Sequence, residues 1–335
     1  MVRIGYDELF DEMVRVLRAV GYDDDRARRG ARIFANASRD GVHSHGLNRF
    51  AMFVSTIEDG FVHVDVEPEL VAAFGALERW NGHLGAGNLN AEFAMGRAIA
   101  LAREHGIGGV ALQNTNHWMR GGTYGWQAAD AGMIGLCWSN TRPNLPPWGA
   151  RDPRLGNNPL VIAVPRADGH VVLDMAMSQF SYGQLQSHQR AGKPLPVDGG
   201  YDRHGQLTRD PHEIEASERP LPIGYWKGSG LSLVLDLMGA VLTGGKATHQ
   251  VTLEESALSQ VFLAIDPAPL RAHDAEAAIV DEILAYVHGA TPIDGDAHVY
   301  YPGERSLLTR QESMANGVSV DPGMWERVRG LYRGG

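Results

Sequence analysis

The sequence predicts an α/β protein that opens with a helical segment. Three observations point there. Apolar residues recur at helical spacing through the early chain, and no strand signal occurs before about residue 69. From 69 onward short apolar runs alternate with longer helical patterns, which is α/β organisation. Hydrophobic content of 44% and charged content of 21% over 335 residues describe a globular chain able to bury a sizeable core. That length suggests two or three domains.

Residues 6–20 read as an amphipathic helix with Leu9, Phe10, Met13, Val14, Leu17 and Val20 on one side. Asp23 to Asp25 offer a cap for a second helix through about Ala37. A third helix is predicted to begin near Ser44, an N-cap type, with Leu47, Phe50, Val54 and Ile57 as its apolar stripe and Gly60 closing it. The stretch from Gly60 to Pro68 reads as a connection. Strands are predicted at 69–74, 108–113, 133–139, 159–164, 170–175 and 260–265. Helices are predicted at 88–104, 121–131, 181–191, 228–242 and 274–288, with short ones near 304–315 and 321–332. The Pro- and Gly-rich run from Pro194 to Pro222 reads as a long ordered loop.

A net charge of −10 argues against a nucleic-acid or anionic-membrane partner. The apolar region Leu231 to Leu242 is too short to span a bilayer, and Met1 to Glu8 lack a signal-peptide profile, so a cytoplasmic protein is expected. Cys137, the single cysteine, lies in an apolar run and reads as a buried structural thiol.

Three near-motifs fail on context. The run Gly106-Ile-Gly-Gly-Val-Ala111 fits a dinucleotide fingerprint but follows a helix and enters a strand, the reverse of what that fingerprint needs. Gly244-Gly-Lys-Ala247 lacks the upstream glycine and final hydroxyl of a phosphate loop. His43-Ser-His45 has metal-ligand spacing but no further ligands nearby, so no metal site is expected. A Rossmann or P-loop protein is not encoded here.

Chemistry concentrates in a few clusters. In Gly41-Val-His-Ser-His-Gly-Leu-Asn-Arg49, a helix starting at Ser44 would set His45 and Arg49 four residues apart on one face, away from the apolar stripe. An imidazole for proton transfer beside a guanidinium for a carboxylate suits a small organic acid. His117 lies in Asn114-Thr-Asn-His-Trp-Met-Arg-Gly-Gly122, at the carboxyl end of a predicted strand, where ligands are commonly faced. The Asn- and Gly-rich stretches 139–149 and 156–159 suit a polar ligand or are simply turns. Asp174 ends a strand and either serves a ribose hydroxyl, orients an imidazole, or caps the following helix. Gly224-Tyr-Trp-Lys-Gly-Ser-Gly230 opens a helix and suits an anion, and Tyr301-Pro-Gly-Glu-Arg305 is a similar turn.

With Ser44-His-Gly-Leu-Asn-Arg49, Asn116-His117, Gly156-Asn-Asn-Pro159, Leu173-Asp-Met175, Trp226-Lys-Gly-Ser-Gly230 and Pro302-Gly-Glu304 in view, the chain resembles the type 2 malate/L-lactate dehydrogenase family over nearly its whole length. The stretches His117 to Gly122, Tyr124 to Ala129, Pro146 to Ala150, Leu195 to Gly200 and Gly224 to Gly230 are most similar to its members that reduce 2-keto sugar acids. The resemblance implies a non-Rossmann, mixed-sheet NAD-binding fold and hydride transfer between NAD(P)H and a keto acid. NADH is the preferred cofactor and NADP an alternative. It implies His45 as proton donor with Ser44 and Arg49 as flanking substrate groups. It brings in His117 as a second acid–base candidate, leaving open which histidine donates. The cofactor-contacting segments implied are His170, Val171, Val172, Leu173, Asp174, Met175 and Ala176, then Trp226 and Lys227, then Gly303, Glu304 and Arg305. A small-molecule keto sugar acid and a homodimer are the implied partners.

The expected partition gives residues 1–72, 122–225 and 297–335 to a helical, substrate-binding and dimerising part. It gives 73–121 and 226–296 to the cofactor part. Asn157 departs from the family's usual Thr, Gln184 from its usual Lys, and 248–259 differs from the sugar-acid reductases. Other 2-keto or 2-hydroxy acids (ureidoglycolate, malate, sulfolactate) or a cyclic imino acid are alternative substrates. A metal-dependent hydrolase built on His43, His45 and His117 is the rival from another class.

Overall fold

A seven-stranded sheet forms the centre of the molecule in the computed structural model, which describes residues 1–270, 275–293, 295 and 297–332. In chain order the elements begin β1 Val2–Ile4, α1 Tyr6–Ala19, α2 Asp24–Arg39 and α3 Leu47–Glu58. Next come β2 Glu69–Phe74, β3 Leu77–Asn81, α4 Gly87–His105, β4 Ile107–Thr115 and α5 Gly122–Asp130. Then follow β5 Ile134–Ser139, β6 Leu160–Val164, β7 Val171–Met175, α6 Tyr182–Ala191, β8 Gly200–Tyr201, β9 Leu207–Thr208 and α7 Pro211–Ser217. The chain continues with α8 Trp226–Thr243, β10 Leu258–Ile265, α9 Ala275–His288, α10 Glu304–Asn316, β11 Val318–Val320 and α11 Pro322–Gly330. Position 274, where the predicted helix 274–288 begins, lies outside the described residues.

The strand order is β2-β3-β4-β10-β5-β6-β7, and only β3 and β4 run parallel. This is the mixed sheet expected. Helices α4 and α5 cover one face, burying Ala98, Ala102, Leu112, Tyr124, Cys137 and Phe262 together. The opposite face packs Leu235 of α8 against Trp138 and Val261. Close approach explains the glycines of the Gly106 to Ala111 run. A Cβ on Gly108 would lie 2.1 Å from the Ala98 carbonyl oxygen, so that glycine admits α4 to β4 and has no phosphate to serve. The sheet also crosses the expected partition, because β5, β6 and β7 hydrogen-bond into the same sheet as β4 and β10.

The early helices build a second core. Leu9, Met13, Leu17, Phe34, Phe50 and Val54 meet Val318, Trp325 and Val328 there, with Phe34 edge-on to Phe50 at 5.1 Å. The expectation of no strand before residue 69 is corrected by β1, which pairs antiparallel with β11 from Val2↔Val320 to Ile4↔Val318. Three residues whose partner is distant in sequence carry no local periodicity.

A second correction concerns α3. Its N-cap is Gly46, and Ser44 sits in a separate 3-10 turn, His43–His45. Ser38 of α2 supplies the capping oxygen, accepting from the Leu47 N–H at 2.8 Å, and a Cβ on Gly46 would stand 2.2 Å from that oxygen. His45 and Arg49 are therefore on consecutive elements and share no helix face. The predicted loop 194–222 is also corrected. It folds into β8, β9 and α7 around Leu185, Leu195 and Ile214. Among the described residues no helix is long and apolar enough to cross a membrane.

Candidate active site

The turn ahead of α3 and the loop after β4 meet at a cleft. His45 comes from the turn and His117 from the loop, and their rings lie nearly parallel, 14° apart in plane with centroids at 5.8 Å. Ser44 Oγ is 2.8 Å from His45 Nδ1. The Met119 N–H donates to His117 Nδ1 at 3.0 Å, which leaves the neutral ring's proton on Nε2. Arg49, Met52, Phe61, His117, Glu254 and Glu255 line the adjoining pocket, with Arg49 3.9 Å from Glu255.

Both histidines are half-buried, and His117 lines the pocket. Burial lowers His45 from its ordinary 6.5 to about 3, and the charges of His117, Arg49 and Arg120 push the same way. Burial and then Arg49 lower His117 likewise, to about 3. Both rings are neutral at pH 7 in the free protein.

Three residues beyond His117, Arg120 enters a different arrangement. Arg120 donates to Asp40 at 2.6 Å, Arg310 donates twice at 2.9 and 2.7 Å, and Arg39 donates at 2.8 Å. Asp40 is 3% exposed and Arg120 5%. Burial would raise the Asp40 carboxyl, but the Arg310 hydrogen bonds and the charges of Arg120 and Arg39 outweigh it and hold the group at about 2. This clamp joins α2, the His117 loop and α10. No motif in the sequence announces it, although Asp40 borders the first histidine cluster and Arg120 lies within the second.

The expected cofactor segments form one strip along β7, the outer strand of the sheet. The Val172 N–H donates to the Pro302 carbonyl at 2.9 Å, and Gly303 turns at φ +96° with its α-carbon hard against β7. Glu304 accepts from the Tyr301 N–H, and Arg305 stands over the Tyr300 ring at 4.3 Å. At the other end, the Ile223 N–H donates to the Met177 carbonyl, which sets the start of α8 beyond the end of β7. There the exposed Trp226 ring has the Lys227 ammonium 5.9 Å away. The amides of Tyr225, Lys227 and Gly228 are taken by carbonyls of the 222–224 turn. The anion site expected of this turn therefore reduces to the ammonium and the helix dipole. Val171 and Leu173 lie within the strip, and Met175 and Ala176 lead out of it.

Two members of the strip hold the structure together. His170 Nε2 is 2.9 Å from Asp130, and its ring lies against Trp126. Asp174 caps a helix, but α5 rather than the following one, accepting from the Gly122 N–H at 2.7 Å. The Asn-rich stretches resolve as an internal network, with Asn157 bonded to Thr141 and Asn144, and Asn158 to Ser232. Gln184, in the family's lysine position, is used in a capping box with Ser181. Among the described residues, the one group of three close metal-binding side chains is His288, His298 and Glu304, which the sequence reading missed. His43, His45 and His117 form no such group there.

Comparison with known proteins agrees over the whole chain. The malate/L-lactate dehydrogenase family pattern matches residues 4–329. The 2,3-diketo-L-gulonate reductases of Salmonella typhi and Pasteurella multocida are 43% and 44% identical over 333 residues, spanning 98% of this chain and 100% of each relative. Malate dehydrogenase from Entamoeba histolytica shares the fold, with a TM-score of 0.93 at 24% identity over 98% of this chain and 97% of that one. Delta1-piperideine-2-carboxylate reductase from Pseudomonas syringae pvar. tomato superposes with a TM-score of 0.88 at 29% identity, over 99% of this chain and 100% of that one. On a family match of that extent and relatives of that identity, the chain belongs to the malate/L-lactate dehydrogenase family, oxidoreductases that work with a nicotinamide cofactor.

Proposed function

We propose that the chain reduces a 2-keto sugar acid, 2,3-diketo-L-gulonate, to 3-dehydro-L-gulonate with NADH. The observation that carries this reading is the parallel His45–His117 pair under the charge of Arg49. The full-length relatives supply the substrate class. An exposed indole, an ammonium and the outer strand β7 fit a nicotinamide dinucleotide, which would be held along His170 to Ala176, at Trp226 and Lys227, and beside Gly303 to Arg305. When bound, its reduced ring supplies hydride to the keto carbon.

Arg49 receives the substrate carboxylate, which fixes the keto group beneath the two imidazoles. Ser44 engages His45 Nδ1 and leaves Nε2 to pass a proton. The carbonyl becomes a hydroxyl by gaining hydride at carbon and a proton from His45 at oxygen. His117 donates its Nε2 hydrogen to that oxygen as negative charge develops. The free site holds its imidazoles neutral, so the acid must be charged on binding. Burial is the main cause of both low values and Arg49 adds to it, so a carboxylate on Arg49 offsets that added part and raises both rings. Substrate binding thereby draws in the proton that the reaction uses.

The test is the loss of the reduced nicotinamide's near-ultraviolet absorbance when purified protein meets NADH and 2,3-diketo-L-gulonate, with NADPH in parallel. Turnover on the sugar acid is expected, and its absence with both cofactors would defeat the proposal. A homodimer is proposed with it, supported by the exposed Leu233, Val234, Leu237, Met238 and Val241 on α8. Sedimentation gives the mass.

A further inference from the structure

We propose that Glu255, with Glu254 beside it, sets the substrate choice of the Arg49 pocket by admitting hydroxylated monocarboxylates and repelling dicarboxylates. The proposal rests on the reading that Arg49 receives the substrate carboxylate. Both glutamates come from the segment just ahead of β10, and both line the pocket with Arg49 and His117. The Glu255 carboxylate lies 3.9 Å from the Arg49 guanidinium, and its side chain is 17% exposed against 33% for Arg49. The segment is held in a fixed bend, since Glu255 has φ +51° and Ala257 φ +59°, a region that side-chain-bearing residues rarely adopt.

The charges decide what fits. The Arg49 guanidinium faces the Glu255 carboxylate, Glu254 adds a second at the exposed rim beside Thr252, and His117 is neutral, so the lining carries a net negative charge before any substrate enters. A keto acid with one carboxylate meets the donors of Arg49. Its remaining carbons then extend along a wall whose carboxylates accept hydrogen bonds from hydroxyl groups. A second carboxylate on the substrate would meet Glu254 and Glu255 as a like charge, with only the already shared Arg49 to offset it.

The experiment compares kcat/KM for 2,3-diketo-L-gulonate and for oxaloacetate in the wild type and Glu255→Gln. Wild type should favour the sugar acid. Glu255→Gln should narrow that preference by about 10-fold or more, chiefly through a lower KM for oxaloacetate. Glu254→Gln should move it the same way by less, and it serves as the test if the first variant does not fold. An unchanged ratio in both variants, with sugar-acid turnover retained, overturns this inference and leaves the proposed function standing. A wild type that prefers oxaloacetate also overturns it. A wild type that reduces neither acid defeats the proposed function and this inference together.

Discussion

The histidine pair and the Asp40 clamp are neighbours along one loop, and burial drives them to opposite charge states. His45 and His117 face a like charge, Arg49, and are held neutral. Asp40 is more completely enclosed, yet three arginines keep it ionised. Removal from water penalises charge at both places, and the sign of the neighbouring groups decides whether the penalty is met. A satisfied charge cluster fixes geometry. An unsatisfied one is free to change protonation when a ligand alters the local field, which is what a proton donor requires.

The largest effect should come from the unsatisfied side. His45→Ala is expected to lower kcat by roughly 100- to 10,000-fold while NADH binding, followed by its fluorescence, stays nearly unchanged. If His117→Ala took that loss and His45→Ala kept its turnover, the roles of the two rings would be exchanged. Next, Asp40→Asn strands buried Arg120 without its counter-charge and should cost about 3–5 kcal/mol in urea unfolding. A midpoint close to wild type would break the contrast, because the clamp would then be no better satisfied than the pair. Arg310→Gln leaves two guanidiniums on Asp40 and should cost about 1.5–3 kcal/mol in the same measurement.

The pH dependence separates the two clusters with smaller steps. Unfolded histidines take up protons below 6.5 while the folded pair resists down to about 3. Stability therefore falls as pH drops through that window, by up to about 1.4 kcal/mol per unit for each ring. Asp40 adds stability that is fully present above 3.8 and is lost as pH falls from there to about 2. Replacing both histidines should flatten the upper part of the acid-unfolding curve and leave the lower part in place. For the reaction itself, reduction needs a protonated donor, so kcat/KM for the keto acid should decline as pH rises and the reverse oxidation should increase.

Much of the fold could be read locally. Helices such as α1 and α2 carry their own apolar periodicity, and six strands of the central sheet stood out as short apolar runs. The outlying β1 and β11 are three residues each and pair with each other across the length of the chain. The sheet strand β3 pairs with its neighbour β2, and its run Leu77-Glu-Arg-Trp-Asn81 is too polar to stand out as an apolar strand. The start of α3 misled because Ser44 is a good cap by type, whereas the oxygen that caps the helix belongs to Ser38. At the site, His45, Arg49 and His117 were legible as residue types with chemistry to offer. Their meeting across 72 positions was suggested only by resemblance. Asp40, Arg310 and Glu255 were not legible, since a single charged side chain says nothing about which opposite charge it will face.

The pairing of β1 with β11 carries a consequence for biosynthesis. Val318, Val320, Trp325 and Val328 fill the same core as Leu9 and Phe34, so the helical unit encoded first lacks part of its packing until the last segments emerge from the ribosome. The sheet between residues 69 and 265 has all its strands once β10, which joins β4 to β5, has been made, and that is before β11 and α11 are made. The early helices, which carry His45 and Arg49, must wait with apolar faces uncovered, and that interval is when a nascent chain is most open to aggregation.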